Sequence, residues 1–130
     1  MTQELRSPLK RVKGLGTAKD GTDHWIAQRL SSILVAFFGL IVMGWLSQNY
    51  HLPQTDMIQA IGNPWAASIV FLFIASTSYH AALGLQVIIE DYVHNNFWRY
   101  WLIMKVRLAG YILPVIALFI LIQLMLIGSK

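Results

Sequence analysis

Three long stretches that carry almost no charge dominate this sequence, and they restrict its possible folds more than any other feature. They cover approximately residues 27–48, 65–90 and 107–128, and charged side chains occur only near their ends. Each is long enough to span a bilayer, because a helix of around 20 residues crosses a hydrocarbon core of roughly 30 Å. Charged residues make up only 12% of the 130 residues, about half the share of a soluble domain. The sequence therefore predicts an all-α integral membrane protein with three transmembrane helices. It excludes an ordinary soluble enzyme and a nucleic-acid-binding domain.

The first 24 residues differ from the rest of the chain and are predicted to form a separate arm. Basic residues are present, but no apolar core or small-residue cleavage site follows them, so a secretory signal peptide does not fit. A mitochondrial presequence is the competing interpretation, and three acidic residues argue against it. Because Pro8 and several glycines disfavour a long helix, we expect residues 1–24 to be an extended cytoplasmic arm on the membrane surface or on a partner. Residues 25–130 then form the membrane anchor domain.

Basic residues are strongly biased to one side of the predicted spans. Of the ten Lys and Arg residues, six precede or open the first span, three lie in the loop of residues 90–107, and only Lys130 follows the third span. The loop of residues 48–64 has none. Cytoplasmic loops of membrane proteins carry an excess of Lys and Arg. The N-terminus is therefore predicted to be cytoplasmic, and the C-terminus to lie on the outer side.

His80 lies near the middle of the second predicted span, where an ionisable side chain is costly and usually functional. Three interpretations are open: a hydrogen-bonded packing histidine, a proton relay, or an axial ligand of a haem iron, since imidazole commonly ligates haem. Small residues such as Ser76 and Gly84 share its face of the helix. They leave room either for a flat macrocycle or for a closely packed helix. The carbonyl or hydroxyl of Ser76 is expected to accept the second imidazole N–H and fix the ring.

Asp91 and Tyr92 follow His80 at the predicted cytoplasmic end of the same span. Asp91 points in nearly the same direction as His80 and lies about 16 Å along the helix from it. A phenol that can donate one hydrogen bond, beside a carboxylate where lipid meets water, suits a quinone carbonyl and its protons. The alternative is an aromatic residue that anchors the interface next to a solvated acid.

Arg29 opens the first span and begins a stripe of mostly small residues. An arginine at that position could hold a carboxylate-bearing cofactor, such as a haem propionate, on the cytoplasmic side. The alternative is a topology-determining side chain that snorkels to the interface.

Few other side chains in the sequence could bind a metal ion at the depth of His80. The chain has no cysteine, which excludes thiolate metal sites and disulfides. His24, His51 and His94 lie outside the predicted spans, so none shares the depth of His80. If a membrane haem has two axial imidazoles, the second must come from another subunit.

Two stretches resemble one known family. The sequence HAALGLQVIIEDYVH at residues 80–94 is similar to the second-helix signature of the hydrophobic membrane anchor subunit of succinate dehydrogenase, the D subunit of respiratory Complex II. In that family a helix histidine is followed eleven and twelve residues later by Asp-Tyr. The stretch RSPLKRVKGLGTAKDGTDHWIAQRLSSI at residues 6–33 resembles the alphaproteobacterial form of the same subunit. The three-span plan also agrees.

The resemblance implies a function that the residues alone leave open. It implies that His80 is one axial ligand of a haem b shared with the cytochrome b subunit, the C subunit, with Arg29 near the haem propionates. Tyr92 would hydrogen-bond ubiquinone near the iron–sulfur subunit, with Asp91 alongside. The flavoprotein and iron–sulfur subunits would hold the other redox groups. The chain would anchor them in the bacterial inner membrane and help pass electrons from succinate to ubiquinone, in the respiratory chain and the tricarboxylic acid cycle.

Two other functions compete with this one. A small transporter or proton-conducting subunit would use His80 and Asp91 as relay groups. A haem-free structural anchor would use neither residue chemically. A b-type haem spectrum of the purified complex separates the haem-binding function from both.

Overall fold

A computed structural model describes residues 17–128 of this chain, with side chains from residue 21 onward, and this part consists of helices joined by short connections, with no strand. The elements are α1 (Thr17–Asn49), α2 (Gln54–Gly62), α3 (Pro64–Tyr92) and α4 (Asn96–Gly128). Three segments are long and apolar enough to cross a membrane, namely Gly21–Asn49, Pro64–Tyr92 and Asn96–Gly128. The prediction of an all-α chain with three transmembrane helices is confirmed. The orientation of the termini stays a prediction.

The first helix begins earlier than the sequence predicted. α1 starts at Thr17, so the expected extended conformation of the arm is wrong for residues 17–24. Gly21 lies inside this helix, where glycine costs about 1 kcal/mol relative to alanine. That cost is tolerated because each residue added to an existing helix contributes another backbone hydrogen bond. Residues 1–16 lie outside the described residues, so the rest of the predicted arm stays a prediction.

The connection between the second and third spans is much shorter than expected. The predicted loop of residues 90–107 is reduced to residues 93–95, because α3 continues to Tyr92 and α4 begins at Asn96. Asn95 explains the early start. Its side-chain oxygen accepts hydrogen bonds from the backbone N–H groups of Phe97 at 3.0 Å and Trp98 at 3.4 Å. It thereby satisfies donors that a helix start otherwise leaves unpaired.

The predicted loop of residues 48–64 contains a short helix, α2, that the sequence analysis missed. α2 packs against the end of α4 so closely that a Cβ on Gly62 would lie 2.8 Å from the Leu124 carbonyl oxygen. Asn63 then ends α2 and begins α3, its side-chain oxygen accepting a hydrogen bond from the Trp65 backbone N–H at 3.0 Å. A short helix therefore packs at the end of the molecule opposite Asp91 and Tyr92.

α3 lies between the two other long helices. On one side His80 contacts Ser31 of α1, and on the other a Cβ on Gly110 of α4 would lie 2.9 Å from the Ala82 Cβ. His80 and Ala82 point in nearly opposite directions, since two residues turn a helix by about 200°. α1, α3 and α4 therefore form a flat layer, and most of the large apolar side chains on its two broad faces are exposed.

Candidate functional site

His80 is bound to α1 through a serine that the sequence analysis did not identify. The Ser31 hydroxyl oxygen lies 2.9 Å from Nδ1 of His80, and Ser31 is only 3% exposed. The expected partner Ser76 is wrong, because Ser31 is the residue bonded to Nδ1, and the Ser76 hydroxyl donates to the Leu72 carbonyl on its own helix at 2.6 Å. A serine in an apolar helix reaches either a carbonyl one turn back or a neighbouring helix. Sequence alone does not decide between them.

Ser31 belongs to a polar seam between α1 and α3, formed by His24, Gln28 and Ser31 on α1 and His80 on α3. His24 and Ser31 lie seven residues apart and share one face of α1. Nε2 of His24 and Oε1 of Gln28 are buried without a hydrogen-bond partner. Unpaired buried polar atoms are rare in folded proteins. The seam thus has unused hydrogen-bonding capacity on the Asp91 side of His80.

Arg29 lies away from this seam. It is two residues from Ser31, a turn of about 200° along the helix, so it lies on the opposite side of α1. Its guanidinium group lies 5.4 Å from the centre of the Trp25 ring, a cation–π contact. Within this chain the structure therefore does not bring Arg29 and His80 together. The predicted role of Arg29 at a haem propionate stays a prediction.

Asp91 and Tyr92 occupy the last positions of α3. Both side chains are exposed, Tyr92 to 78%. The helix ends cleanly here, because the Val93 N–H donates to the Ile89 carbonyl at 2.9 Å. Neither side chain makes a hydrogen bond within the described residues. Both are therefore available to a ligand or a partner at this end of the layer.

A second polar group, between α3 and α4, was also missed by the sequence analysis. The amide of Gln86 donates to Glu90 at 2.7 Å, and its carbonyl oxygen accepts from Nε of Arg107 at 3.0 Å. Gln86 is 7% exposed. A single glutamine in an apolar run gives no signal of this role, because the contact to Arg107 depends on how two helices pack.

The comparisons with known proteins agree with this architecture. The family described as succinate dehydrogenase/fumarate reductase transmembrane subunit matches residues 3–114. The chain belongs to this family. The hydrophobic membrane anchor subunit of succinate dehydrogenase from Rickettsia bellii is 32% identical over 117 residues, which is 90% of this chain and 93% of the relative.

Two further relatives are also anchor subunits of succinate dehydrogenase. The Paracoccus denitrificans hydrophobic membrane anchor subunit is 28% identical over 90 residues, 69% of this chain and 70% of the relative. The succinate dehydrogenase membrane anchor subunit of Reclinomonas americana is 31% identical over 96 residues, 71% of this chain and 79% of the relative. No solved structure matches the chain significantly.

Membership of the succinate dehydrogenase/fumarate reductase transmembrane family fits the helices described above. The matched region of residues 3–114 contains Arg29, His80, Asp91 and Tyr92 and ends inside α4. Together with three membrane-length helices, it identifies the chain as a multi-pass protein of the bacterial inner membrane.

Proposed function

We propose that this chain is the membrane anchor subunit of succinate dehydrogenase, co-ligates haem b through His80, and contributes Tyr92 and Asp91 to the site where ubiquinone is reduced. The family match supports the anchor role. The observation that carries the haem assignment is the contact between Ser31 and His80, because it holds the imidazole in the state that an iron ligand needs.

The hydrogen bonds of Ser31 favour one tautomer of a neutral His80 ring. The serine hydroxyl has one proton, and it donates to the Gln28 carbonyl at 3.0 Å. Its oxygen is then an acceptor for an Nδ1–H of His80 at 2.9 Å. In that tautomer Nε2 carries the free lone pair, and no hydrogen bond within the described residues occupies it. Metal-ligating histidines typically donate their other N–H to such a partner, which fixes the ring.

The cytochrome b subunit is proposed to supply the other protein ligand to the haem. No group of three or more His, Cys, Asp or Glu side chains that could hold a metal ion occurs in the described part of the chain. His24, the one histidine of α1, lies about 10 Å along the helix from Ser31. Haem b, when bound, supplies a one-electron redox centre within the membrane. From this chain, His80 would supply one ligand to it.

Arg29 is proposed to lie near the haem propionates. Its guanidinium packs on Trp25 and keeps donors that a carboxylate can accept as a bidentate pair. Because it lies on the opposite side of α1 from Ser31, a propionate would reach it only around the edge of α1. This assignment therefore rests on the resemblance and the charge of the side chain.

Tyr92 and Asp91 are proposed to act directly on ubiquinone. Reduction to ubiquinol takes up two electrons, which succinate oxidation in the flavoprotein and iron–sulfur subunits supplies, and two protons. The Tyr92 phenol donates a hydrogen bond to a quinone carbonyl. That bond strengthens as the oxygen gains charge, so it favours the transition state over the ground state. The adjacent Asp91 carboxylate can hold and release a proton at this end of the layer.

Replacing His80 tests the haem assignment. We expect the purified His80→Ala complex to lose or alter its b-type haem spectrum, because an iron ligand is removed. The matched control is His51→Ala, which removes an exposed histidine outside the three long helices and should leave the spectrum unchanged. An unaltered spectrum and midpoint potential in His80→Ala would contradict the ligand assignment. It would favour the haem-free anchor or the proton-conducting subunit.

Replacing Tyr92 tests the quinone assignment. Tyr92→Phe keeps the ring and removes the donor, which costs on the order of 1 kcal/mol or more in the transition state. We expect succinate–ubiquinone activity to fall by about fivefold or more, with haem retained. Succinate oxidation by dyes that accept electrons from the soluble subunits should stay intact.

The control for Tyr92 is Tyr100→Phe. Tyr100 lies at the same end of the molecule, with its ring centre 5.5 Å from the Arg99 guanidinium, and its ring contact survives the substitution. Full ubiquinone reductase activity in Tyr92→Phe, or an equal loss in Tyr100→Phe, would place the quinone site elsewhere.

A further inference from the structure

We infer that the cleft between α3 and α4 binds the headgroup of an anionic glycerophospholipid from the leaflet on the Asp91 side of the membrane. The cleft has a volume of about 190 Å³ and is lined by Tyr79, Ala82, Leu83, Gln86, Arg107, Gly110 and Tyr111. This is smaller than the roughly 300–1,000 Å³ of pockets that enclose a drug-sized ligand. It suits part of a lipid, with the acyl chains outside. The inference shares no residue with the proposed haem and quinone sites.

Arg107 is held in the cleft and is not free to extend to the membrane surface. Its Nε donates to the buried Gln86, whose amide is itself held by Glu90. An arginine near the end of an apolar segment usually snorkels toward water, but here the hydrogen bond to Gln86 places the guanidinium beside α3. Both terminal nitrogens of the guanidinium stay unpaired within the described residues, and they present the fork that binds phosphate oxygens in pairs.

The positive charge of Arg107 lacks a partner in the described part of the chain. Glu90 is linked to it only through Gln86, with no direct ion pair. Arg107 is exposed on the layer at the start of the uncharged run of α4, where charge is costly in lipid. A counter-ion from outside the chain offsets that cost. The phosphate of a lipid from the adjacent leaflet would supply that counter-ion, as at other basic pockets between membrane helices.

Two phenols continue the polar wall of the cleft toward the membrane centre. Tyr111 lies one turn beyond Arg107 on α4, and Tyr79 lies about 10 Å beyond Gln86 on α3. Neither hydroxyl has a hydrogen-bond partner within the described residues. A phosphate at Arg107 followed by ester carbonyls near Tyr111 matches the order of polar groups in a glycerophospholipid. The apolar residues Ala82 and Leu83 complete a wall for the start of an acyl chain.

The position of the cleft favours lipid over a partner protein as the occupant. Tyr79 and Tyr92 lie thirteen residues apart on α3, which places their directions about 140° apart. The cleft therefore opens on the other broad face of the layer from Tyr92. If partner subunits cover the Tyr92 face to form the quinone site, bilayer lipid is left to cover the face with the cleft.

Lipid titration of the purified, delipidated complex tests this inference. We expect short-chain phosphatidylglycerol to bind and to protect the complex against heat, with short-chain phosphatidylcholine and millimolar inorganic phosphate much weaker. In Arg107→Gln the affinity for phosphatidylglycerol should fall by about tenfold or more, because a charge-assisted pair is lost. The matched control is Arg99→Gln, since Arg99 bonds Asn96 on its own helix and does not line the cleft. Its affinity should equal that of the wild type.

Four results would overturn the inference. Equal binding of phosphatidylglycerol and phosphatidylcholine would show that the cleft does not select an anionic headgroup. An equal loss of lipid affinity in Arg99→Gln would show that the effect of Arg107→Gln reflects the overall surface charge. Displacement of the lipid by inorganic phosphate would assign the cleft to the free anion.

If Arg107→Gln fails to assemble, Tyr111→Phe replaces it and should weaken phosphatidylglycerol binding, with the haem spectrum and ubiquinone activity unchanged. Wild-type lipid affinity in Tyr111→Phe would then decide against the site.

Discussion

Ser31 shows how one small side chain determines what a neighbouring residue can do. Its hydroxyl joins the Gln28 carbonyl on its own helix to the His80 ring on the next. In a membrane a polar side chain without a partner is costly, and this arrangement satisfies Nδ1 of His80 while leaving Nε2 available. The serine therefore positions the histidine and does not itself reach a ligand.

Removing that hydroxyl should change the electronic properties of a haem bound at His80. In Ser31→Ala, Nδ1–H loses its acceptor, the imidazole becomes a weaker electron donor, and the oxidised iron is less stabilised. We expect the haem midpoint potential to rise by up to about 40 mV, the equivalent of one hydrogen bond of about 1 kcal/mol. Redox titration of the haem spectrum measures it.

The control for Ser31 is its neighbour Ser32. The Ser32 hydroxyl bonds only the Arg29 carbonyl of its own helix, at 2.7 Å, so Ser32→Ala should leave the potential unchanged. An unchanged potential in Ser31→Ala would show that the serine serves packing alone.

Candidate site residues could be selected from the sequence where the residue type is unusual for its position in a membrane span. His80 was identifiable because an imidazole in the middle of an apolar run is rare, and Asp91 and Tyr92 because they end that run. Ser31 and Gln86 were not, because each is an ordinary residue in a membrane helix. Their roles depend on partners 49 and 21 positions away.

The packing of α2 against α4 depends on a glycine. A Cβ on Gly62 would lie 2.8 Å from the Leu124 carbonyl oxygen and 3.3 Å from its carbon. Backbone atoms of α4 cannot move aside as a flexible side chain would. The contact therefore requires glycine at Gly62, and the closeness of α2 to α4 follows from it.

We expect Gly62→Ala to destabilise the complex by about 1–3 kcal/mol, the usual cost of forcing extra atoms into a packed contact. The midpoint of thermal inactivation of the purified complex measures this change. Gly44→Ala is the control, because a Cβ there meets no atom within 4 Å. It should be neutral or slightly stabilising, since alanine favours a helix. A loss of stability in Gly44→Ala equal to that in Gly62→Ala would refute the close-contact explanation.

The helices themselves were predictable, and their ends were not. Apolar runs of membrane length identify the three spans because the bilayer selects for length and hydropathy. The start of α4 at Asn96 depends instead on the capping side chain of Asn95. Cationic side chains lie within the helix and therefore do not mark its start. Lys105, for example, places its ammonium 4.0 Å from the centre of the Trp101 ring. Charge alone therefore marks where the apolar segment begins and not where the helix begins.

At the scale of the whole molecule, the orientation in the membrane is the property that the fold leaves open. The distribution of Lys and Arg predicts a cytoplasmic N-terminus. The absence of cysteine allows a direct measurement, because single cysteines can be introduced at exposed positions of α2 and of the turn between α3 and α4.

We expect Thr55→Cys to react with a membrane-impermeant maleimide in intact spheroplasts, and His94→Cys to react only after lysis. Both side chains are exposed in the structure, so a difference in labelling reports the side of the membrane. Equal labelling after lysis is the control for reactivity. Protection of Thr55→Cys and labelling of His94→Cys from outside would reverse the predicted topology.

The flat arrangement of α1, α3 and α4 has a consequence for how the cell controls the amount of this protein. A closed bundle can shelter its polar groups alone, whereas this layer leaves His80 Nε2 and the Arg107 guanidinium for other molecules to cover. We expect a copy made without its partners to be a poorly packed substrate for membrane proteases, so that surplus chains are degraded. The steady-state number of anchor subunits should then follow the supply of the partner that binds the layer, and not the rate at which this chain is translated.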